Sequence, residues 1–256
     1  MVALASPSIS RSLDLAMRLD PVVLGQAAGI EPDPWQARLL RSLSSRLLLN
    51  CSRQVGKSTT TATLAIHTAF YESGSPILLL SPTLRQSQEL FIKCLEIYRA
   101  LDRPVPAEAE NALSLKLTNG SRIISLPGKE GTIRGMSGVR LLIIDEASRV
   151  PDALYMSVLP MLAVSGGRLV LLSSPFGTRG FFYEEWKRRA QWDYFEIPAT
   201  ECPRISPEFL DQMRETMGEW WFLQEFMCQF MDAQTAAFRA ADIERIVDPG
   251  VEQWAL

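Results

Sequence analysis

The sequence predicts a three-layer α/β domain with a mostly parallel central sheet, and three stretches carry that reading. The apolar run Leu47-Leu48-Leu49-Asn50 passes through a short turn into Gly56-Lys57-Ser58-Thr59 and then a helix-forming run. Leu141-Leu142-Ile143-Ile144 ends in Asp145-Glu146, and Leu169-Val170-Leu171-Leu172 ends in Ser173-Ser174-Pro175. Short apolar runs of this kind suit strands covered by helices on both faces. The strand of residues 168–173 is expected between those ending at Asn50 and Asp145.

Taken in order, residues 1–30 read as a polar start and one or two short helices. Asp33-Pro34 is a cap followed by proline at the first helical position, which starts a helix running to about Leu43. After the glycine turn a helix extends to about Tyr71 and stops at Ser73-Gly74-Ser75-Pro76. Ile77–Ser81 reads as a buried strand. Pro82-Thr83 opens a helix to Arg99, with Leu84, Leu90, Phe91, Leu95 and Tyr98 as its candidate buried face. Residues 102–112 read as a loop or ragged edge. Asn119-Gly120 between two alternating runs, 114–118 and 121–126, is a hairpin signal, because both turn positions tolerate positive φ. Residues 128–138 form a glycine-rich loop carrying Arg134. A helix over 181–189 with Phe182, Tyr183 and Trp186 inward, a strand at 194–198, and helices at 207–217 and 219–230 complete the chain. The cluster Trp220, Trp221, Phe222, Phe226 and Phe230 is read as packing.

Composition excludes several classes. With 256 residues the chain can bury one good core and a small appended unit. No apolar run reaches the length of a membrane span, and no N-terminal apolar core suggests a signal peptide. Four scattered cysteines without a C-x-x-C pair argue against a zinc or disulfide framework, and the single His67 is read as structural. A net charge of −3 argues against a uniformly basic nucleic-acid coat.

Strand, glycine turn, Gly-Lys-Ser-Thr and helix is the setting of a phosphate-binding loop. A helix N-terminus offers unpaired N–H groups with the positive dipole end behind them, and Gly56 lets the backbone approach an oxyanion. Lys57 is the candidate contact to the β- and γ-phosphates and Ser58 the candidate Mg²⁺ ligand. Cys51 departs from the usual pattern, which has glycine there. Ligands of open α/β sheets bind at the carboxyl ends of strands, which places Asp145 to hold Mg²⁺ and Glu146 to orient or deprotonate the attacking water. Small hydroxyl residues at the 168–173 tip either sense the γ-phosphate or simply form a turn. From spacing alone Gln36 reads as a surface glutamine.

Together these motifs resemble the ATPase domain of the large terminase subunit, the motor that packs DNA into tailed-phage heads, from Pro34 to about Phe238. Arg53-Gln54-x-Gly56-Lys57-Ser58 resembles the family's phosphate loop, in which the first glycine is often lost and an arginine added. The resemblance implies a P-loop (RecA/ASCE-like) fold, with an ATPase core over 1–198 and a small helical lid subdomain from 199 to 256. It implies that Gln36 contacts adenine and that Gln54, Gly56, Lys57, Ser58, Thr59 and Ser174 bind the nucleotide. Ser58 and Asp145 hold Mg²⁺ in this reading, with Glu146, Lys57, Arg134 and Arg53 catalytic. Ile133-Arg134-Gly135 resembles the loop that supplies an arginine to the neighbouring subunit's ATP. Gln224-Glu225-Phe226 resembles a lid helix. Implied partners are double-stranded DNA, a portal protein, a small terminase subunit and further copies in a pentameric ring, in the host cytoplasm at the capsid portal. The family's C-terminal nuclease domain is expected to be absent. A helicase-like ATPase and a nucleotide-binding assembly module with little turnover are the alternatives.

Overall fold

The computed structural model describes residues 10–127 and 136–232. Eight strands form one sheet: β1 (Arg46–Cys51), β2 (Pro76–Ser81), β3 (Ala107–Glu110), β4 (Ser114–Leu117), β5 (Arg122–Pro127), β6 (Leu141–Asp145), β7 (Arg168–Ser173) and β8 (Asp193–Ile197). Their order is β3-β4-β5-β2-β6-β7-β1-β8. From β5 to β8 every neighbouring pair is parallel, while β3, β4 and β5 pair antiparallel. As expected, β7 lies between β6 and β1, in register from Arg46↔Leu169 to Asn50↔Ser173.

The period-two alternation of a strand divides each apolar run between two cores. Leu47, Leu49, Ile77, Leu79, Ile143, Val170 and Leu172 face one layer. Its helices are α1 (Arg11–Leu19), α2 (Pro21–Ala27), α3 (Pro34–Arg41), α4 (Lys57–Tyr71) and α5 (Leu84–Ala100). Leu48, Leu78, Leu80, Leu142, Ile144, Leu169 and Leu171 face the other. There they meet α6 (Asp152–Val158) and α7 (Gly180–Lys187), whose Tyr155 and Phe181 rings stack with centroids 4.0 Å apart. Burial on both faces explains why these strands read as unbroken apolar runs.

The hairpin forms where Asn119-Gly120 predicts it: the Gly120 amide donates to the Leu117 carbonyl (3.0 Å) at a φ of 85°. Asn119 also donates from Nδ2 to the carbonyls of Ala69 and Phe70, closing the end of α4. Residues 107–110 differ from the loop expected there. They form an exposed edge strand with no apolar pattern to reveal it. Backbone pairing to β4 and ion pairs such as Lys116–Glu108 (2.7 Å) hold it. Helix α6 had no expectation. Leu84, expected inward, is 42% exposed because it sits in the first turn of α5.

Beyond β8, α8 (Pro207–Met217) and α9 (Glu219–Phe226) share a small core of Ala199, Leu210 and Phe222. Helix α9 stops four residues short of the expected end. Cys228 adopts a left-handed φ of 58°, its carbonyl accepts from Asn50 Nδ2 (2.8 Å), and its thiol donates to the Ile197 carbonyl (3.2 Å). These contacts to β1 and β8 compete with the helical bonds. Among the described residues no helix is long and apolar enough to cross a membrane.

His67 is structural, as read. Its Nε2 faces the carbonyls of Met17 (3.1 Å) and Arg18 (3.2 Å), both acceptors, so Nε2 carries the proton and ties α4 to the end of α1. Burial lowers its pKa, against the opposing pull of those carbonyls and of Glu72 and Asp20. A histidine with a lowered folded pKa contributes stability that is full above the unfolded value of about 6.5 and is lost as the pH falls through the folded value. Acidification should therefore loosen α1 before the sheet. Hydrogen exchange of residues 11–19, corrected for intrinsic rates, should accelerate below that window in wild type. Unchanged protection of α1 would contradict this role.

Candidate functional site

The carboxyl ends of β1 and β6 open into a cleft of about 650 Å³ lined by Arg53, Gln54, Gly56, Lys57, Ser58 and Thr59 on one side. Glu146, Arg149, Gln86 and Lys93 complete its wall. The loop from Ser52 to Gly56 turns through left-handed conformations at Gln54 (φ 64°) and Gly56 (φ 92°) before α4 begins at Lys57. Gly56 is needed twice over. Its φ disfavours any side chain, and a Cβ would lie 2.6 Å from Gln36 Nε2.

Cys51, where the usual loop has glycine, is the last residue of β1, paired with Ile197 and fully buried. Extended backbone accepts a Cβ there. Burial pushes its thiol up to about 12, so it behaves as a small apolar group.

Lys57 is buried, and its Nζ lies 3.4 Å from Glu146 Oε1. The Ser58 hydroxyl donates to Asp145 Oδ2 (3.2 Å), while Asp145 Oδ1 accepts from the Glu146 amide (2.8 Å). Burial pushes the Asp145 carboxyl up to about 6, against the lowering pull of Lys57. Glu146 has a φ of 51°, which turns the chain sharply from the strand into the 3-10 turn Ala147–Arg149. A non-glycine residue in that region costs about 1–3 kcal/mol and persists where surroundings enforce it. Here the enforcement comes from β7. The Ser148 amide donates to Ser173 Oγ (3.2 Å), the two hydroxyls are 2.7 Å apart, and Ser148 Oγ donates to the Ser174 carbonyl (2.9 Å).

Four of the expected residues thus meet across the strand ends: Lys57, Ser58, Asp145 and Glu146. Gln54, Gly56 and Thr59 line the same cleft. Arg53 lines it too, but its Nε pairs with Glu225 Oε2 of α9 at 2.6 Å. Ser174 is outside the lining, buried, with a hydroxyl that has no hydrogen-bond partner. Gln36 sits behind the loop: its Oε1 accepts from the Asp33 amide (2.8 Å) and its Nε2 donates to the Val55 carbonyl (3.4 Å). Arg204, absent from the sequence reading, joins it there, reaching Asp33 (2.8 Å) and the Val55 carbonyl (3.2 Å). Arg134 lies outside the described residues. Arg149 and Lys93 also went unsingled; the one available signal was the position of Arg149 three residues after Glu146.

Ser58 and Asp145 offer a hydroxyl and a carboxylate oxygen, the hard donors Mg²⁺ prefers. Among the described residues no group of three or more His, Cys, Asp or Glu could hold a metal ion. A cation at Ser58 and Asp145 would therefore fill its shell from water and phosphate oxygens, the usual Mg²⁺ arrangement.

A family model described as terminase large subunit, T4likevirus-type, N-terminal, matches residues 48–245. The large terminase subunit of Thermus virus P23-45 is 26% identical over 252 residues, covering 84% of this chain and 52% of that protein. That of Thermus phage G20c is 25% identical with the same coverage. The chain therefore spans about half the length of the curated relatives it matches. Among solved structures, the large terminase ATPase domain of Thermus phage P74-26 superposes with a TM-score of 0.73. It is 20% identical, covering 81% of this chain and 97% of that one. The HK97 bacteriophage large terminase gives a TM-score of 0.64 at 14% identity, covering 78% of this chain and 51% of that one.

Proposed function

The chain belongs to the large terminase subunit family, and from that premise we propose that it hydrolyses ATP to drive double-stranded DNA into a viral capsid. The observation that carries the reading is the cleft in which Lys57, Ser58, Asp145 and Glu146 converge at the strand ends. Lys57 and the loop amides neutralise the phosphates, and Ser58 and Asp145 hold Mg²⁺, which supplies charge stabilisation at the β- and γ-oxygens. Glu146 takes the proton of the attacking water once the γ-phosphate has drawn Lys57 away from it. Gln36 faces the adenine with its remaining amide N–H, and Ser174 belongs to the strand tip that responds to the γ-phosphate. Arg53 supports the loop in cis through Glu225, and α8–α9 form the lid. The chemistry matches relatives named as terminase large subunits, one of whose structural counterparts, from a thermophilic bacteriophage, was solved in complex with ADP.

Arg134 completes the site of a neighbouring subunit in this reading, in a pentameric ring docked on the portal in the host cytoplasm and served by a small terminase subunit. Arginine suits that task because its planar fork meets phosphate oxygens bidentately and stays charged. The test is hydrolysis by mixed subunits. Lys57→Ala alone should lose nucleotide binding. Arg134→Ala and Glu146→Gln should each be inactive alone and regain activity when mixed, because each supplies what the other lacks. If mixing rescues nothing, the ring-coupled part of the reading fails. If wild type neither binds nor hydrolyses ATP, all of it does.

A further inference from the structure

Four cations line the cleft, and two are spent: Arg53 on Glu225 and Lys57 on Glu146. Arg149 and Lys93 make no ion pair among the described residues. Arg149 differs from Lys93 in where the chain puts it. It closes the 3-10 turn that follows Glu146, and its amide donates back to the Glu146 carbonyl (2.9 Å). Ser148, its neighbour, is bonded to the tip of β7. The backbone under Arg149 is therefore anchored beside the end of the cleft where Glu146 meets Lys57, while its exposed side chain is free to move.

The guanidinium rests over the ring of Phe176, 4.0 Å from the centroid. An exposed cation–π contact of this kind is weak beside a charge-assisted, bidentate bond to phosphate oxygens. Phe176 also leads into a second junction. The next residue, Gly177, donates its N–H to Gln224 Oε1 on α9 (3.4 Å). Gln224 is 1% exposed, and its Nε2 is buried with no hydrogen-bond partner. A buried amide half satisfied at a long contact is a junction with more than one acceptable arrangement. One residue on, Glu225 holds Arg53 of the phosphate loop. The cleft wall, Phe176, Gly177 and α9 form one contiguous chain of contacts.

We propose that Arg149 reads the terminal phosphate of a nucleoside triphosphate bound in its own subunit, leaving the face of Phe176 for the phosphate oxygens, and that α9 receives the change through the Gly177–Gln224 contact. The proposal rests on the reading of the cleft as a nucleotide site. It assigns a cis-acting arginine distinct from Arg134 and gives it a route to the C-terminal helices.

The experiment measures binding of ADP and of a non-hydrolysable ATP analogue, together with hydrogen exchange in residues 219–226. Arg149→Ala should weaken the analogue about tenfold or more while moving ADP by less than about twofold, the effect of losing charge-assisted bonds to one phosphate. Arg149→Lys should recover only part of that loss, because an ammonium lacks the planar fork. Wild type should show exchange in α9 that differs between the two nucleotides, and Phe176→Leu should lose the difference. Equal weakening of both nucleotides by Arg149→Ala, or none, overturns the inference and leaves the cleft reading standing. An α9 response that survives in both Arg149→Ala and Phe176→Leu overturns the relay. Lys57→Ala separates the two levels: it should lose both nucleotides, and a wild type that binds neither defeats the cleft reading itself.

Discussion

Glu146→Gln should abolish ATP hydrolysis while leaving ATP binding intact or somewhat tighter. Glutamine keeps the shape of the side chain but cannot accept the proton of the attacking water, a loss on the order of 10²–10⁴ in rate for a positioned general base. The structure adds the expectation about binding. Lys57 Nζ lies 3.4 Å from Glu146 Oε1, so the lysine must leave this carboxylate to reach a phosphate. Removing the negative charge removes both that competition and a repulsion towards the incoming phosphates. Single-turnover hydrolysis and a nucleotide titration on the same preparation separate the two effects. Hydrolysis within about threefold of wild type would place the base elsewhere.

Asp145→Asn should make the nucleotide-free protein more stable at neutral pH and deprive it of its response to Mg·ATP. Burial pushes the Asp145 carboxyl up to about 6 from an ordinary value of 3.8. Between those values the folded state binds more protons than the unfolded one, so stability falls as the pH rises through that window, and the whole cost persists above about pH 6. Two pKa units correspond to a cost on the order of 2–3 kcal/mol. Asparagine removes the charge, and its amide can still accept from the Glu146 amide and meet the Ser58 hydroxyl. The melting temperature of the variant should therefore exceed that of wild type by several degrees at pH 7.5, with the gap closing near pH 4. Wild type should gain further stability with Mg·ATP and the variant should not, because a carboxylate ligand has been lost. A variant less stable than wild type at both pH values would show that Asp145 is held by its hydrogen bonds rather than strained by burial.

The two variants act on adjacent residues with opposite logic. Glu146 is half-exposed to the cleft and paired with a cation, while Asp145 is buried under the phosphate loop. A site that carries a buried charge for the sake of a ligand pays in resting stability, and occupancy by that ligand restores it.

Much of the site was legible because its parts are local. The phosphate loop and the Asp-Glu strand end are each contained in a few consecutive residues, and the period of the flanking apolar runs reports burial on both faces. The hairpin at Asn119-Gly120 was legible for the same reason, since turn chemistry acts over four residues. What escaped were features set by partners far along the chain. The edge strand at 107–110 has no apolar code, and α9 ends early because Asn50 and Ile197 engage Cys228. Arg53 looked like a cleft residue but is held by Glu225, 172 positions away.

By itself the sequence determined the layers, the two landmark motifs and the central place of β7, because local hydrophobic periodicity and capping chemistry decide which segments are strands and where they end. Only the tertiary structure decided which charges are free. The pairing of Lys57 with Glu146, of Arg53 with Glu225 and of Ser148 with Ser173, and the solitary position of Arg149 over Phe176, depend on which strand ends become neighbours. Ion pairs and buried hydroxyl bonds require side chains a few ångströms apart, and no local pattern encodes a distance between residues that the sheet order alone brings together.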